Sequence, residues 1–354
     1  MKTYKHKILI QNTVTYALVI ASYLLIQGLM AGGHVNSLLK GILVPLCMYV
    51  ILAVSLNLTV GILGELSLGH AGFMCVGAFS GAFFTHVTAA AIPNVQARFI
   101  LAILVGALAA AVFGILIGIP VLRLKGDYLA IVTLAFGEII KNVINVLYVG
   151  MDAKGLHLST KDVASLNLLP EGKVIIKGAQ GITGTPKAST FTIGIILVLI
   201  TLFIVLNMIN SRTGRAIMAI RDNRIAAESI GINITKYKLL AFSVSAALAG
   251  VAGVLYAHNL ATLAATPKSF GYNMSIMILV FVVLGGIGNI RGSVISAVVL
   301  TLLPEMLRGL NNYRMLIYAI VLIVMMILTA SPKAIALRER LIASIRKPKA
   351  KEEA

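Results

Sequence analysis

The chain has 354 residues, of which 59% are hydrophobic and 12% are charged, and its mean hydropathy is +0.97. Soluble domains carry about 25% charged residues, so this composition excludes a soluble globular protein and indicates a polytopic membrane protein. The net charge of +18 could suggest nucleic-acid binding, but basic residues of membrane proteins collect in cytoplasmic loops, so their positions decide between the two interpretations.

About ten apolar stretches are long enough to cross a bilayer, since a span needs about 20 mostly apolar residues. The first follows a basic start that resembles a signal sequence. Its apolar run continues to Met30 without a small-residue cleavage site, so we interpret it as a retained span. The predicted spans are roughly residues 8–30, 41–63, 68–90, 99–121, 127–149, 191–210, 239–259, 274–290, 292–308 and 314–330. The predicted fold is all-α: one polytopic transmembrane domain over residues 1–354, with interrupted helices among its spans.

The positions of the basic residues predict the orientation of these spans. Of the 30 Lys and Arg residues, 19 lie in the two terminal segments and in the loops on the same side as the termini. Five others lie in the long loop 150–190, where the positive-inside rule is weak because long loops are translocated regardless of charge. We therefore expect both termini to be cytoplasmic. The net charge then reflects orientation and does not point to nucleic acid.

Polar residues and glycines interrupt the second and third spans between Leu56 and Phe73. Asn57, Ser67 and His70 stand in this stretch among four glycines. These glycines are Gly61, Gly64, Gly69 and Gly72. Polar side chains at membrane depth face the protein interior or a cavity, since hydrocarbon cannot satisfy them. Two interpretations remain open: close helix packing through small residues, and a substrate pathway in which a broken helix offers N–H groups to a carboxylate.

The fifth predicted span carries a second polar cluster. Asp127 can cap its start, where a negative charge suits the positive end of a helix. Thr133, Glu138 and Lys141 lie further in, and the spacing of Glu138 and Lys141 allows an ion pair on one helix face. The alternative is that Thr133 and Glu138 contact a substrate.

The loop 150–190 is the one sizeable segment predicted on the external side. It is polar and contains the turn-forming run Gly178–Pro186, which favours an ordered structure. About 40 residues are too few for an independent receptor domain, but they suffice to cap a vestibule or to meet an external partner.

The segment 211–238 lies between two apolar runs and carries six Lys and Arg residues. Thr213 can cap a short helix through Met218, and Asp222 or Asn223 can cap a second helix at Arg224–Ile230. Gly231 then supplies a left-handed stop. A compact helix in a cytoplasmic loop suits a contact with another protein, although a solvated positive-inside loop explains the same composition.

Two further clusters and the basic tail complete the chain. Four glycines interrupt the run 284–293 and predict a hinge or a close helix crossing. They are Gly285, Gly286, Gly288 and Gly292. Pro304, Glu305 and Arg308 predict a kinked helix end with a local ion pair. The tail 332–354 is predicted as an amphipathic helix on the anionic inner leaflet.

Several sequence patterns of enzymes are absent from the chain. It contains no G-x4-G-K-[ST] phosphate-binding loop, no H-E-x-x-H pattern and no metal-like spacing of its two cysteines. We therefore predict a protein that is not an enzyme, binds no metal or cofactor itself, and does not hydrolyse a nucleotide.

Six blocks of the sequence, in this order, resemble the LivM-like permeases, the integral-membrane subunits of bacterial branched-chain amino acid ABC transporters. The blocks are LNLTVGILGELSLGHAGF, LRLKGDYLAIVTLAFGEII, GAQGITGTP, GRAIMAIRDNRIAAESIGINITKYKLLAF, AALAGVAGVLYA and VVLGGIGNIRGS. They cover about residues 50–310. The resemblance implies import of leucine, isoleucine or valine across the bacterial inner membrane, with urea or short amides as the alternative substrates. An ion-coupled secondary amino acid transporter is the more distant alternative.

The resemblance also implies partners and a docking element. The partners are a second, related permease, two cytoplasmic ATPase subunits that bind the ATP, and a periplasmic or extracellular binding protein. In such importers an E-A-A-x3-G loop docks on the ATPase, and Ile225 here replaces the Glu of that pattern. The residues expected to couple to the ATPase are Arg221, Asp222, Ala226, Ala227, Glu228 and Gly231. The residues expected along the substrate pathway are Asn57, Ser67, His70, Thr133 and Glu138, with Gly64, Gly69, Gly285, Gly286 and Gly288 as hinge or packing positions.

Overall fold

A computed structural model describes residues 2–33, 36–124, 126–170, 172–307, 309 and 313–330, most of them in helices. The helices are α1 (Lys2–Ala31), α2 (Ser37–Asn57), a π-helix (Leu58–Leu63), α3 (His70–Val87), α4 (Val95–Val121), α5 (Asp127–Val146), α6 (Phe191–Asn210), α7 (Arg212–Asp222), α8 (Arg224–Ser229), α9 (Ile234–Ala257), α10 (Pro267–Phe270), α11 (Tyr272–Gly285), α12 (Ile290–Met306) and α13 (Arg314–Ala330). The chain forms two compact units, residues 1–297 and 298–354. The described part of the second unit contains the end of α12 and α13.

Seven helical segments of the described residues are long and apolar enough to cross a membrane. They are Asn12–Ala31, Leu39–Leu63, Val95–Val121, Asp127–Val146, Phe191–Asn210, Ile234–Ala257 and Pro267–Gly285. The polytopic helical class is therefore confirmed, whereas the count of ten and the orientation of the termini stay predictions. The other three predicted spans correspond to α3, α12 and α13, which have 18, 17 and 17 residues. The tail 332–354 and Arg308 lie outside the described residues.

Helix α6 defines the two ends of the first unit. It has 20 residues, about 30 Å of helix, and it starts after the strands described below and leads into α7. We call the end that carries the strands the sheet end, and the end that carries α7 and α8 the loop end. Helix α5 runs from the loop end to the sheet end, and α9 runs from α8 to a strand of the sheet end.

The core of this unit is a close packing of α3, α4 and α9. Added Cβ atoms at Gly77 and Gly253 would overlap the backbone of Gly250 and of Met74, and one at Gly106 would lie 2.9 Å from the carbonyl oxygen of Gly77. These glycines let helix backbones touch, which is how helices associate in a membrane, where no hydrophobic effect drives them together.

The predicted external loop contains β-structure that the all-α prediction missed. Strands β1 (Tyr148–Asp152), β2 (Gly155–Ser159) and β3 (Lys173–Lys177) form an antiparallel sheet in the order β2-β1-β3. Two residues of β4 (Ile182–Thr183) pair with β5 (Thr262–Leu263), which follows α9. The prediction failed because these strands are only two to five residues long and lie among glycines and prolines, which we read as turns.

The carboxylate of Asp152 organises the turn between β1 and β2. It accepts hydrogen bonds from the backbone N–H of Lys154 at 2.8 Å, of Gly155 at 3.2 Å and of Leu169 at 3.2 Å, and from the ring of His157 at 3.1 Å. Burial acts to raise the pKa of Asp152 from its ordinary 3.8, but these hydrogen bonds outweigh burial and hold the pKa below that value. Because the folded pKa is depressed, the carboxylate stabilises the turn above the ordinary value, and this stabilisation is lost as pH falls through the lower folded value.

We expect Asp152→Asn to loosen this turn at neutral pH, because an amide has one acceptor oxygen and cannot receive N–H groups on both sides. Hydrogen exchange at Leu169, corrected for intrinsic rates, should rise about tenfold, the effect of losing one hydrogen bond of about 1.4 kcal/mol. In the unsubstituted chain the protection should fall only below pH 3.8. Asp162→Asn is the matched control, since Asp162 caps only Ser165. Equal exchange at Leu169 in both variants would contradict the role of Asp152.

The helix caps correct two details of the predictions. Ser211, rather than Thr213, caps α7 by accepting from the N–H of Gly214 at 3.2 Å, and α7 continues to Asp222. Gly126 precedes α5, so Asp127 lies in the first turn and is not the cap. At the start of each helix two neighbouring residues suit the cap position, Ser211 and Thr213 for α7 and Gly126 and Asp127 for α5. The path of the chain before the helix decides which of the two is the cap.

Candidate functional site

Helices α7 and α8 form a hairpin at the loop end, residues 212–229. Asn223 caps α8 by accepting from the N–H of Ala226 at 3.0 Å, and Gly231 follows α8 with a φ of +83°. The inner side of the hairpin is a small apolar cluster of Ile220, Ala227 and Ile234. This cluster fixes the hairpin to the start of α9.

The outer side of α8 is apolar and exposed. Ile225 is 81% exposed and Ile230 is 74% exposed, with Ala226 and Glu228 exposed between them. Ala227, by contrast, is only 2% exposed. We call Ile225, Ala226 and Ile230 the α8 face. Of the residues expected to couple to an ATPase, Ala227 therefore faces inward and supports the hairpin.

The hairpin is tied to the end of the second span. Arg221 Nη1 donates to the carbonyl oxygen of Gly61 in the π-helix at 2.8 Å, and its Nε and Nη2 donate to Asp222. Arg221 also packs on Gly64, where an added Cβ would lie 2.5 Å from Arg221 Cγ. Gly64 ends the π-helix with a φ of +78°, a conformation that favours glycine. Next to it, the ion pair between Lys238 and Glu65 joins α9 to the same end of the span.

A cavity of about 520 Å³ lies between the hairpin and the end of the π-helix. Its lining includes Glu65, Arg221, Arg224, Ile225 and Lys238. Arg221 of the hairpin and Lys238 of α9, which both contact the end of the span, line this cavity together.

The π-helix meets the glycine-rich turn between α11 and α12 at what we call the central junction, formed by Asn57, Gly61, Gly288 and Ser293. Asn57 is fully buried; its Oδ1 accepts from the N–H of Gly288 at 2.8 Å and its Nδ2 donates to Ser293 Oγ at 2.7 Å. An added Cβ on Gly61 would overlap Gly288. Arg221 therefore contacts Gly61, and Gly61 in turn packs against the turn that leads into α12.

The other glycines predicted as hinge or packing positions lie where two backbone segments touch or in turns. An added Cβ on Gly285 would overlap Gly292, and one on Gly69 would overlap the carbonyl oxygen of Thr133. Gly286 and Gly288 have φ values of +93° and +82°, so they form the turn that reverses the chain. Both the packing and the turn are properties of the structure, whereas motion at these glycines stays a prediction.

Three of the predicted pathway residues surround the break between the π-helix and α3, residues 64–69. His70 Nε2 and Ser55 Oγ are 2.7 Å apart, and Thr133 Oγ1 accepts from the N–H of Leu68 at 3.0 Å. Ser67 Oγ is buried without a hydrogen-bond partner among the described residues. Ser67, His70 and Thr133 are at most 2% exposed. A substrate could reach them only if the helices move apart, so their pathway role stays a prediction.

Glu138 makes two structural contacts. It forms the expected ion pair with Lys141, and its Oε1 accepts from the N–H of Tyr272 at the start of α11 at 2.8 Å. Lys141 is 6% exposed. These contacts join α5 to α11 and neutralise the charge of Glu138.

Sequence reasoning missed the ion pair of Glu65 with Lys238, although a signal was present. Glu65 is the sole acidic residue among the first 126 residues. An acid next to an apolar span needs a partner, and Lys238 opens the apolar run of α9. The hydroxyl of Ser275, which accepts from the N–H of Ala71 at 3.1 Å, carried no comparable signal.

Fold and site together define a multi-pass helical membrane protein in which an exposed interhelical hairpin is tied to a broken span. The chain belongs to the family of permease components of branched-chain amino acid transport systems, whose model matches residues 38–329.

Curated relatives show the same likeness. The chain is 34% identical over 288 residues to the high-affinity branched-chain amino acid transport system permease protein LivM of Salmonella typhimurium and to that of Escherichia coli. Each alignment covers 79% of this chain and 66% of the relative, so the chain spans just under two thirds of their length. It is 25% identical over 291 residues to the probable branched-chain amino acid transport permease protein LivM of Methanocaldococcus jannaschii, covering 72% of this chain and 77% of the relative. No solved structure matches the chain.

Proposed function

We propose that this chain is the membrane-spanning subunit of an ABC importer for branched-chain amino acids in a bacterial inner membrane. The observation that carries the proposal is the α8 face, which exposes two isoleucines at the end of a hairpin that Arg221 ties to a broken span. An exposed apolar face on a polar hairpin marks a protein contact. The permease names of the relatives support the same function.

The partners of this subunit are a second, related permease, two cytoplasmic ATPases and an external substrate-binding protein. The basic residues of the hairpin support a cytoplasmic loop end. The sheet end then faces the binding protein. Hydrolysis of ATP belongs to the partner subunits, because the sequence holds no phosphate-binding loop.

Transport proceeds by alternating access in this proposal. ATP binding closes the ATPase pair, and the closure moves the hairpin through the α8 face. Arg221 carries this movement to Gly61 of the π-helix, and the central junction passes it to α12. Such a change is a shift between two states of a packed interface, driven by a partner that binds one state more tightly.

The substrate is leucine, isoleucine or valine, as the names of the relatives indicate for those proteins. An ion-coupled transporter would need ionisable groups within the membrane that can exchange protons or bind ions. Glu138 and Lys141 are the best placed of these, but they pair with each other.

The test is uptake of labelled leucine into proteoliposomes that hold this chain, its partner permease and the ATPases, with binding protein outside. We expect leucine to accumulate only when ATP and the binding protein are both present. Uptake of urea in place of leucine would keep the importer and change its substrate. Uptake without the ATPases would overturn the proposal in favour of secondary transport.

A further inference from the structure

A second cavity at the loop end, of about 410 Å³, lies between α1, the π-helix, α6 and the turn before α12. Its depth follows from the spans that border it. Asn210 is the last residue of the α6 span, and it lines the cavity together with Asn12 of α1. The cavity therefore lies at the level where the hydrocarbon ends and the lipid headgroups begin.

The polar lining of this cavity favours an anion. It consists of Asn12, Thr15, Asn210, Asn289 and Arg291, and it contains no carboxylate. Arg291 Nε donates to Thr15 Oγ1 at 2.8 Å, which fixes the guanidinium group. Within the described part of the chain no ion-pair partner of Arg291 is found.

The apolar lining favours a lipid as the source of that anion. Ile62, Leu206, Ile209 and Ile295 line the same cavity, and Ile295 is 46% exposed. The planar guanidinium group binds the oxygens of a phosphate through two parallel hydrogen bonds, while isoleucine and leucine side chains suit the first methylenes of an acyl chain. A volume of about 410 Å³ is enough for a phosphate with its glycerol.

We propose that this cavity binds the phosphate group of an anionic phospholipid through Arg291. The bound lipid joins α1 to the turn that carries Gly288, the residue that Asn57 holds at the central junction. A filled site therefore stabilises the turn between α11 and α12. The proposal concerns lipid binding to the folded chain and stands apart from the identity of the transported substrate.

The experiment compares lipid binding of the purified full chain and its variants in detergent. Thermal stability and native mass spectrometry are recorded with dioleoyl phosphatidylglycerol, with dioleoyl phosphatidylcholine and with inorganic phosphate. We expect phosphatidylglycerol to bind more tightly than phosphatidylcholine, and Arg291→Gln to reduce its affinity about tenfold. Arg212→Gln is the matched control, because it removes an exposed charge from the same end without lining the cavity.

Arg291→Lys keeps the charge but loses the two parallel hydrogen bonds, and we expect it to bind phosphatidylglycerol with an affinity between that of the unsubstituted chain and that of Arg291→Gln. This variant keeps the test decisive if Arg291→Gln does not fold. An unchanged preference in Arg291→Gln, or an equal loss in Arg212→Gln, would overturn the proposal. Equal stabilisation by inorganic phosphate would assign the cavity to a soluble anion and overturn the lipid assignment.

Discussion

Placing charges on the α8 face is expected to abolish uptake by separating the permease from its ATPase. The double variant Ile225→Lys and Ile230→Lys converts the two most exposed side chains of this face into cations while the inner cluster of Ile220, Ala227 and Ile234 stays intact. Central interface residues contribute about 2 kcal/mol or more each, so losing even one weakens binding about 30-fold. A desolvated charge at each site adds to this loss.

Two measurements separate docking from folding in this variant. Retention of the ATPase on the purified permease should fall about 30-fold or more, and ATP-dependent leucine uptake should fall with it, while the thermal stability of the chain in detergent stays unchanged. Leu156→Lys and Leu158→Lys make the same chemical change on β2, where these side chains are 52% and 63% exposed, and should leave ATPase retention intact. Normal retention in the α8 variant would refute the docking role.

The structure also shows why Ala227 is a poor site for this test. The E-A-A-x3-G pattern of related loops suggests that both alanines belong to the docking surface. Ala227 is 2% exposed and packs in the inner cluster, so a bulky charge there would be buried without a partner, at a cost of several kcal/mol. Such a variant would lose uptake through an unfolded hairpin and would say nothing about docking.

The features that could be predicted from the sequence are those set by near neighbours in the chain. The two helices of the hairpin, the cap at Asn223 and the left-handed Gly231 depend on residues within one turn of each other. The pair of Glu138 and Lys141 is also local, since it follows from a spacing of three. Apolar length alone located the spans, and α6 has the predicted bounds, residues 191–210.

The features that could not be predicted depend on contacts between distant parts of the chain. Gly61 and Gly288 each interrupt an apolar run, but nothing local shows that they touch each other. Glu65 needs a partner because it is an acid next to an apolar span, but nothing local identifies that partner as Lys238, which lies 173 residues away. Asn57 stands out in the sequence as a polar residue at membrane depth, and in the structure its amide joins two helices, while its place in a substrate pathway stays a prediction. Pattern reasoning finds an unusual residue, and only the fold shows what it contacts.

Removing the side chain of Arg221 is expected to leave ATP hydrolysis intact and to abolish most uptake. In Arg221→Ala the hairpin keeps its caps and its inner cluster, so the α8 face still docks. The π-helix loses the charged donor to the carbonyl oxygen of Gly61, a hydrogen bond of about 1.5–3 kcal/mol. If this contact carries the coupling, its loss reduces the coupled rate about 10- to 100-fold.

The readout is the ratio of leucine transported to ATP hydrolysed in proteoliposomes, which we expect to fall. A general loss of stability would lower both rates and would not lower this ratio. Arg215→Ala is the matched control: Arg215 lies on the same helix and carries the same charge, but it donates to the carbonyl oxygen of Asn210 and does not reach the π-helix. Its ratio should equal that of the unsubstituted chain. Arg221→Lys keeps a donor without the fixed fork and should restore part of the coupling. A parallel fall of hydrolysis and uptake in Arg221→Ala, at a constant ratio, would mean that Arg221 supports docking. If both rates stay unchanged, the ion pair of Lys238 on α9 with Glu65 is left as the connection that transmits the movement.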